Sequence, residues 1–264
     1  MTNKLEKSDC WLILQNNCLL LKENYSIPCL TASETASLSN LFLRRYPLGS
    51  LHHYNLYCAE IPIDCSFPQM ISAFPLKKAL EHMNNEWRHF LIKAHAIINW
   101  DKNHQYCGHC GSKTIPKTSI FERVCNKCAL SFFPRISPSI IVRITKGEEI
   151  LMARGHHFAP GVYGLIAGFV EVGENIEEAI HREVKEEVGI EINNLHYFGS
   201  QSWPFPDSLM IAFTADYRSG ELVSDTNELE EANWYHYHKL PGGPSSSISI
   251  ATQLIEDFIK TRSP

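Results

Sequence analysis

Short apolar runs separated by turn residues fill the first 75 residues of the chain. The runs CWLILQ, CLLLKE and SLHHYNLYCAEIP have the length and the composition of β-strands. The next stretch, residues 76–98, places apolar side chains three or four positions apart, which predicts one amphipathic helix. The apolar positions of this helix are Leu76, Leu80, Met83, Trp87, Phe90 and Ala94.

Two later segments have the same helical spacing. The first begins after Asn175, a good N-cap with Glu178 as its reciprocal partner, and ends at Gly189. Its apolar positions recur every four residues and predict a buried stripe at Ile176, Ile180, Val184 and Val188. The second segment follows the loop PGGPSSS and is the last helix of the chain. Its apolar positions are Ala251, Leu254, Ile255, Phe258 and Ile259.

Length and composition bound the class of protein. A chain of 264 residues favours two domains or one large domain, and a net charge of -5 gives no general attraction to nucleic acid or membrane. No apolar run reaches the length of a membrane span, and the N-terminal stretch is a poor secretory signal. We therefore expect a cytoplasmic protein with no membrane partner. Five scattered cysteines are expected to be reduced, mostly buried thiols: Cys10, Cys18, Cys29, Cys58 and Cys65.

The other four cysteines form two CxxC pairs separated by 14 residues: Cys107, Cys110, Cys125 and Cys128. Two thiolates three positions apart can grip one ion from a tight turn, and a second such turn completes a tetrahedron. We interpret them as a closed, structural zinc site; the alternatives are four unrelated buried cysteines or a redox pair. Residues 101–135 carry six basic and two acidic side chains, either for contact with phosphates or as an ordinary solvated surface.

Acidic side chains gather on the other face of the helix that begins after Asn175. Glu183, Glu186 and Glu187 stand at i, i+3 and i+4, where helical geometry brings them together and like charges repel. A hard divalent cation such as Mg²⁺ or Mn²⁺ is the natural occupant of such a cluster, and it commonly serves phosphates. The alternative is a solvated acidic helix face.

The spacing of these residues resembles the Nudix box, the signature of hydrolases that cleave diphosphates linked to another moiety. The match runs from Gly168 through Glu174 to REVKEEVGI and covers nine defined positions. The resemblance implies an α+β fold, an α/β/α sandwich with a mixed sheet, in which Glu183, Glu186 and Glu187 are metal ligands. It further implies that Glu174 supports the metal site or its loop, that Arg182 orients a catalytic Glu, and that Gly168 allows a close loop approach.

A second motif, SQSWPFPDSLM at residues 200–210, resembles the SQPWPFPxS motif of the NADH pyrophosphatase branch of this family. Ser202 stands where the motif has Pro, and the other defined positions match. The branch also carries a four-cysteine zinc ribbon before its Nudix domain. The resemblance therefore implies three parts: an N-terminal α+β domain at 1–98, a zinc ribbon at 99–133 and a Nudix hydrolase domain at 134–264.

The branch resemblance also implies a set of substrate-binding residues. NAD carries two flat rings joined by a diphosphate, so its recognition needs aromatic faces beside a phosphate site. The implied residues are Phe169, Phe133, Gln201, Trp203, Ser208 and Ala251. Phe169 matches a ring that stacks on the nucleotide, and Phe133 matches an aromatic that reaches the partner's site in a homodimer. Core packing is the alternative for Phe133, Trp203 and the neighbouring Phe205.

One further acid matches a metal ligand outside the box. We favour Glu228 for that position, with its neighbours Glu230 and Glu231 as rivals and ordinary surface charge as the alternative. The implied reaction is metal-dependent cleavage of NADH or NAD to nicotinamide mononucleotide and AMP, with removal of NAD caps from RNA 5′ ends as a further activity. Two alternatives remain open at this point: a non-catalytic nucleotide- or RNA-binding protein, and a Nudix hydrolase of another nucleoside diphosphate such as ADP-ribose.

Overall fold

A computed structural model describes residues 8–22, 24–65, 71–117, 121–244 and 246–262. Contacts between residues divide the chain into two compact units, Met1–Arg135 and Ile136–Pro264. None of the helices in these described ranges is both long and apolar enough to cross a membrane.

The first unit is built on a mixed β-sheet, which confirms the runs CWLILQ and CLLLKE as strands, whereas the run SLHHYNLYCAEIP contains a turn at residues 52–53. The strands are β1 (Ser8–Gln15), β2 (Cys18–Lys22), β3 (Cys29–Leu30), β4 (Arg44–Leu51), β5 (Tyr54–Glu60) and β6 (Ile71–Pro75), with α1 (Ala32–Leu38) after β3. Their order is β4-β5-β1-β2-β6, and β3 also pairs with β1. β1 and β5 are parallel, whereas the other pairs are antiparallel. Trp11, Ile13 and Ala59 lie in the core on one face of this sheet.

The single helix predicted at 76–98 is wrong, because two helices occupy this stretch. They are α2 (Leu76–His82) and α3 (Asn85–Asn103). Met83 is extended, and the side chain of Asn84 accepts a hydrogen bond from the backbone N–H of Trp87 at 3.0 Å. An Asn that satisfies a free N–H in this way starts a new helix more readily than it continues an old one. The apolar spacing continues across the break, which is why the pattern indicated one helix.

The expectation that Cys10 and Cys29 are reduced thiols is also wrong. Antiparallel pairing of β1 with β3 places these two residues directly opposite each other, with their Cα atoms 4.0 Å apart, and they form a disulfide. Strand pairing between distant segments decides this contact, and hydropathy carries no information about it. The other three scattered cysteines form no disulfide, and Cys58 is buried whereas Cys18 and Cys65 are half-buried.

A small three-stranded sheet completes the first unit: β7 (Thr114–Lys117), β8 (Glu122–Cys125) and β9 (Ser131–Phe132). Buried Arg123 on β8 forms an ion pair with buried Asp101 of α3 and donates a hydrogen bond to Thr114 at 2.7 Å. Asp101 also pairs with Arg44 of β4, at 2.7 Å between Nε and Oδ2. These contacts tie the small sheet to the larger sheet and to α3 within one unit.

The second unit is a three-layer sandwich, as expected. Its elements are β10 (Ser137–Lys146), β11 (Glu149–Gly155), β12 (Ile166–Phe169), α4 (Ile176–Val188), β13 (Glu191–Trp203), β14 (Ser208–Ser219), β15 (Leu229–His236) and α5 (Ile250–Arg262). The sheet order is β13-β14-β10-β11-β15 with β12 on β10, and the parallel pair β10–β14 makes the sheet mixed. Alternate residues of β10 face opposite sides: Ile140 lies in the core beneath α4, and Ile141 lies in the core beneath α5.

Candidate active site and metal sites

Local signals set both ends of α4 as predicted. The side chain of Asn175 accepts from the N–H of Glu178, whose carboxylate accepts from the N–H of Asn175, each at 2.9 Å. Gly189 ends the helix with a φ of 72°, a left-handed conformation that glycine adopts without strain. Ile180, Val184 and Val188 are fully buried, so the rotation of the helix about its axis is fixed. That rotation determines where the acidic face points.

Arg182 organises the carboxylates of this face. Its Nε and Nη2 atoms donate to both oxygens of Glu174, at 2.6 and 2.9 Å. Its Nη1 atom donates to Glu183 at 2.9 Å and to Glu186 at 3.0 Å, and Nη2 also reaches the carbonyl oxygen of Phe169. Glu174 accepts in addition from the N–H of Glu171. One guanidinium therefore joins the loop before α4 to two of the three clustered acids.

The third acid, Glu187, has no such counter-charge among the residues that the structure describes. Its side chain is buried, and burial together with the charges of Glu183 and Glu228 raises its pKa to about 8. Burial also raises the pKa of Glu183 despite the opposing effect of Arg182. Glu174, by contrast, has a lowered pKa because Arg182 donates to it. A cluster of carboxylates whose negative charges are only partly neutralised is a donor set suited to a hard divalent cation.

The turn before β15 supplies the remaining acid. Asp225 donates its N–H to the carbonyl oxygen of Glu187 at 2.8 Å, and the N–H of Glu228 donates to Asp225 at 3.2 Å. This brings the negative charge of Glu228 close enough to raise the pKa of both Glu183 and Glu187. The two rival acids have other contacts. Glu230 pairs with Arg154, and Glu231 accepts from the hydroxyls of Tyr163 and Tyr235.

The four cysteines of the CxxC pairs converge on one point. Their sulfur atoms lie 3.5 Å apart for Cys107 and Cys128, 3.4 Å for Cys110 and Cys125, and 3.7 Å for Cys110 and Cys128. A tetrahedral zinc ion with Zn–S bonds of about 2.3 Å needs separations of about 3.8 Å. Hydrogen bonds from Ser112 lower the pKa of Cys110 to about 6, which favours the thiolate. In the described part of the chain, no other group of His, Cys, Asp or Glu ligand atoms is this compact.

A cavity of about 240 Å³ lies on the α5 side of the sheet in the second unit. Three of the residues expected to bind substrate line it, namely Gln201, Trp203 and Ala251. Phe169 does not line the cavity, but its ring is 52% exposed at the end of β12. Ser208 is buried beside Trp203 in the β13–β14 pair and does not line it either. Phe133 belongs to the first unit and is exposed.

The amide of Gln201 is already engaged inside the protein. Its oxygen accepts from the N–H of Ile250 at 2.7 Å, and its nitrogen donates to the carbonyl oxygen of Ile248 at 2.9 Å. Gln201 therefore ties the end of β13 to the start of α5, where Ile250 and Ala251 form part of the cavity wall. The Trp203 ring meets the Phe205 ring edge-on at 5.6 Å.

Comparison with known proteins agrees with this architecture. Residues 134–254 match the family described as NUDIX domain, and residues 102–133 match the NADH pyrophosphatase zinc ribbon domain. A Chromobacterium violaceum protein named NAD-capped RNA hydrolase NudC is 38% identical over 250 residues, which is 95% of this chain and 91% of that protein. The chain belongs to the Nudix hydrolases. It is an enzyme of the NADH pyrophosphatase type, with a zinc ribbon that contains the four cysteines.

Other relatives of this Nudix hydrolase give the same result. A Pseudomonas aeruginosa protein, also named NAD-capped RNA hydrolase NudC, is 41% identical over 223 residues, covering 84% of this chain and 79% of its own. A crystal structure of a NUDIX hydrolase from Nitrosomonas europaea is 17% identical and has a TM-score of 0.51. It covers 60% of this chain and 92% of that one, and it supports the fold alone.

Two features of the site are absent from the sequence-based prediction. Asp225 is an additional acid whose charge helps to raise the pKa of Glu187. It lies in the same DTNE stretch as Glu228, so the density of acids there was the one available signal. The internal bonds of Gln201 had no sequence signal, because they depend on where α5 begins relative to the end of β13.

Proposed function

We propose that this enzyme hydrolyses the diphosphate of NADH and NAD to nicotinamide mononucleotide and AMP, and that it removes NAD caps from RNA 5′ ends. The observation that carries the proposal is that β12 borders both the apolar cavity and the carboxylate cluster. Ala167 lines the apolar cavity, and the next residue, Gly168, lies against the carboxylate of Glu183. A dinucleotide needs such an arrangement, because a flat ring must be held close to the group that works on its diphosphate.

Glu183, Glu186, Glu187 and Glu228 are the residues that we propose to hold Mg²⁺ or Mn²⁺. When bound, such an ion supplies Lewis-acid chemistry that offsets the charge of the diphosphate. Arg182 keeps Glu183 and Glu186 in place from behind through its ion pairs with them and with Glu174. Glu187, buried in this cluster, is our first candidate for the group that takes up the proton of the attacking water.

Phe169, Trp203 and Ala251 are proposed to hold the rings of the substrate, with Phe169 as the exposed stacking face. For Gln201 we propose an indirect contribution through the wall of the cavity. For Ser208 we propose a contribution to the position of Trp203, the residue opposite it in the strand pair. We also propose that the chain has three parts, at 1–98, 99–133 and 134–264. We further propose a homodimer in which the exposed ring of Phe133 contributes to the partner's site. To test the dimer, sedimentation measures the oligomeric state of the wild type and of Phe133→Ala, and a rate measurement on each shows whether Phe133 contributes to the site.

A comparison of substrates tests the function. Rates on NADH, NAD-capped RNA and ADP-ribose are measured on the zinc-loaded protein, once with Mn²⁺ and once with Mg²⁺. We expect cleavage of NADH and of NAD-capped RNA at the diphosphate, with AMP as a product from NADH. Cleavage of ADP-ribose alone would assign a different Nudix substrate. Tight binding of NADH or capped RNA without cleavage would instead favour the non-catalytic alternative.

Gly168→Ala is expected to reduce turnover of NADH by about 10²-fold, because a small misplacement of a catalytic group has an effect of that size. A Cβ at Gly168 would overlap with the carboxylate of Glu183 and displace it. The matched control is Gly243→Ala, where a Cβ meets nothing within 4 Å and the backbone is unstrained. Equal turnover in the two variants would refute the role of this close contact. The measurement is kcat on NADH with Mn²⁺.

Gln201→Leu is expected to raise KM for NADH several-fold and to leave kcat nearly unchanged. Leu matches Gln in size but cannot bond to Ile248 or Ile250, so the start of α5 and the cavity wall lose their tie to β13. Gln201→Glu keeps an acceptor for the N–H of Ile250 and should recover part of the affinity. A large loss of kcat with an unchanged KM would place Gln201 in the chemical step instead.

A further inference from the structure

A second cavity, of about 440 Å³, lies in the first unit. Its wall is formed by one face of the sheet and by α1. Trp11 of β1 and Pro47 of β4 are both register neighbours of Tyr57 on β5, which lies between them, and Thr35 comes from α1. The volume falls in the range of about 300–1,000 Å³ that is usual for small-molecule sites. The proposed hydrolytic site lies in the second unit and involves none of these residues.

Two polar groups of this cavity's walls lack a protein partner. Within the described ranges, neither the indole Nε1 of Trp11 nor the hydroxyl of Thr35 has a hydrogen-bond partner, although both atoms are buried. The Trp11 ring is 4% exposed and stacks on Phe42 at 4.9 Å and on Tyr57 at 4.8 Å. Native proteins rarely leave such buried groups unsatisfied.

Opposite charges lie among the residues that line the same cavity. Arg45 is exposed, and its guanidinium makes no hydrogen bond or ion pair with any residue that the structure describes. Asp9 accepts from Asn55 at 3.1 Å through one oxygen, which leaves its second oxygen for another donor. A guanidinium presents several donors in a fixed fork that suits a phosphate. Between these charges, Tyr57 and Pro47 offer flat apolar surface suited to a ring.

We infer that this cavity binds a nucleoside monophosphate. The phosphate pairs with Arg45, the base lies against Tyr57 and Pro47, and an amino or hydroxyl group donates to Asp9. Inorganic phosphate would leave the aromatic surface and Asp9 unused, and a single cationic side chain would hold it weakly. The inference rests on the proposed function in one respect: hydrolysis of NADH releases nucleoside monophosphates, so AMP is the ligand that we test first.

The experiment is hydrogen–deuterium exchange on the full-length, zinc-loaded protein without Mg²⁺ or Mn²⁺, titrated with AMP. We expect AMP to slow exchange in β1 and in residues 44–57. In Arg45→Ala, the AMP concentration that gives half of this protection should rise by about tenfold, the effect of losing one hydrogen bond to a charged group. The control is Arg218→Ala, an exposed arginine of the second unit. Asp9→Asn should weaken the same protection, and it serves as the test variant if Arg45→Ala does not fold.

Four outcomes decide the proposal. Protection of residues 44–57 that weakens in Arg45→Ala but not in Arg218→Ala supports it. No protection of these residues in the wild type overturns it, as does protection that survives both Arg45→Ala and Asp9→Asn. Inorganic phosphate that protects as well as AMP at equal concentration overturns the nucleoside assignment. Because the protection is read in the first unit without turnover, an enzyme inactive on NADH would count against the proposed function and leave this result standing.

Discussion

Glu187→Gln is expected to lower kcat for NADH by about 10²- to 10⁴-fold, the usual contribution of a group that transfers a proton in the reaction. Gln has nearly the same shape, so it should fit the buried position beside Glu183 without disturbing the fold. The substitution removes one negative charge from the proposed metal site. It also removes the group that we propose to accept a proton. The measurement is kcat and KM on NADH with Mn²⁺ at saturating concentration.

The same substitution should stabilise the protein in the absence of divalent cations. In an unfolded chain the pKa of Glu is about 4.3, whereas burial and the neighbouring charges raise the pKa of Glu187 to about 8. Between these values the folded state keeps a proton that the unfolded chain has released. The free energy of unfolding therefore falls as pH rises through this window, and the loss is complete above about pH 8. Gln cannot ionise, so Tm at about pH 8.5 should rise.

The control is Glu177→Gln, which removes a carboxylate from an exposed position of the same helix and should change neither kcat nor Tm appreciably. Unchanged turnover in Glu187→Gln would remove Glu187 from the chemistry. A lower Tm in Glu187→Gln at high pH would mean that the carboxylate is stabilised in the fold by a partner, against the raised pKa. Loss of activity together with a gain in Tm separates a functional role from a structural one.

The sequence predicted α4 well because its signals are local. A cap residue, a glycine in the left-handed conformation and a four-residue apolar repeat all lie within the helix or next to it. The same local signals placed Glu183 and Glu187 on one face. The prediction that their like charges repel follows from helical geometry, and the raised pKa of both groups agrees with it.

Two of the failures have the opposite character, because they depend on contacts between distant segments. The disulfide of Cys10 with Cys29 depends on the pairing of β1 with β3. The position of Asp225 depends on how the turn before β15 docks on the last turn of α4. The break at Asn84 is different: its capping signal is local, but an apolar repeat that continued through it hid the signal.

The zinc ribbon gives the second large expected effect. Cys125→Ser should reduce bound zinc from one ion per chain to almost none and should unfold the ribbon. The ribbon's strands are only two to four residues long, so they bury little apolar surface of their own. Cys107 and Cys125 are themselves its buried centre, at 3% and 2% exposure. For structural sites of this kind, zinc binding contributes about 10–16 kcal/mol, which is in effect the folding free energy of the module.

Metal content measured by a zinc-sensitive dye after denaturation, and amide exchange in residues 105–117 and 121–132, report the two effects separately. Arg123 tests how far unfolding spreads, because it joins β8 to Asp101 of α3. If that ion pair holds without zinc, exchange should rise in the two cysteine turns but stay slow around Arg123 and Asp101. If it does not hold, the end of α3 should exchange as well. Cys18→Ser, which changes a half-buried free thiol outside the site, is the control and should keep its zinc. A Cys125→Ser protein that still binds one zinc ion with slow ribbon exchange would contradict the four-thiolate assignment.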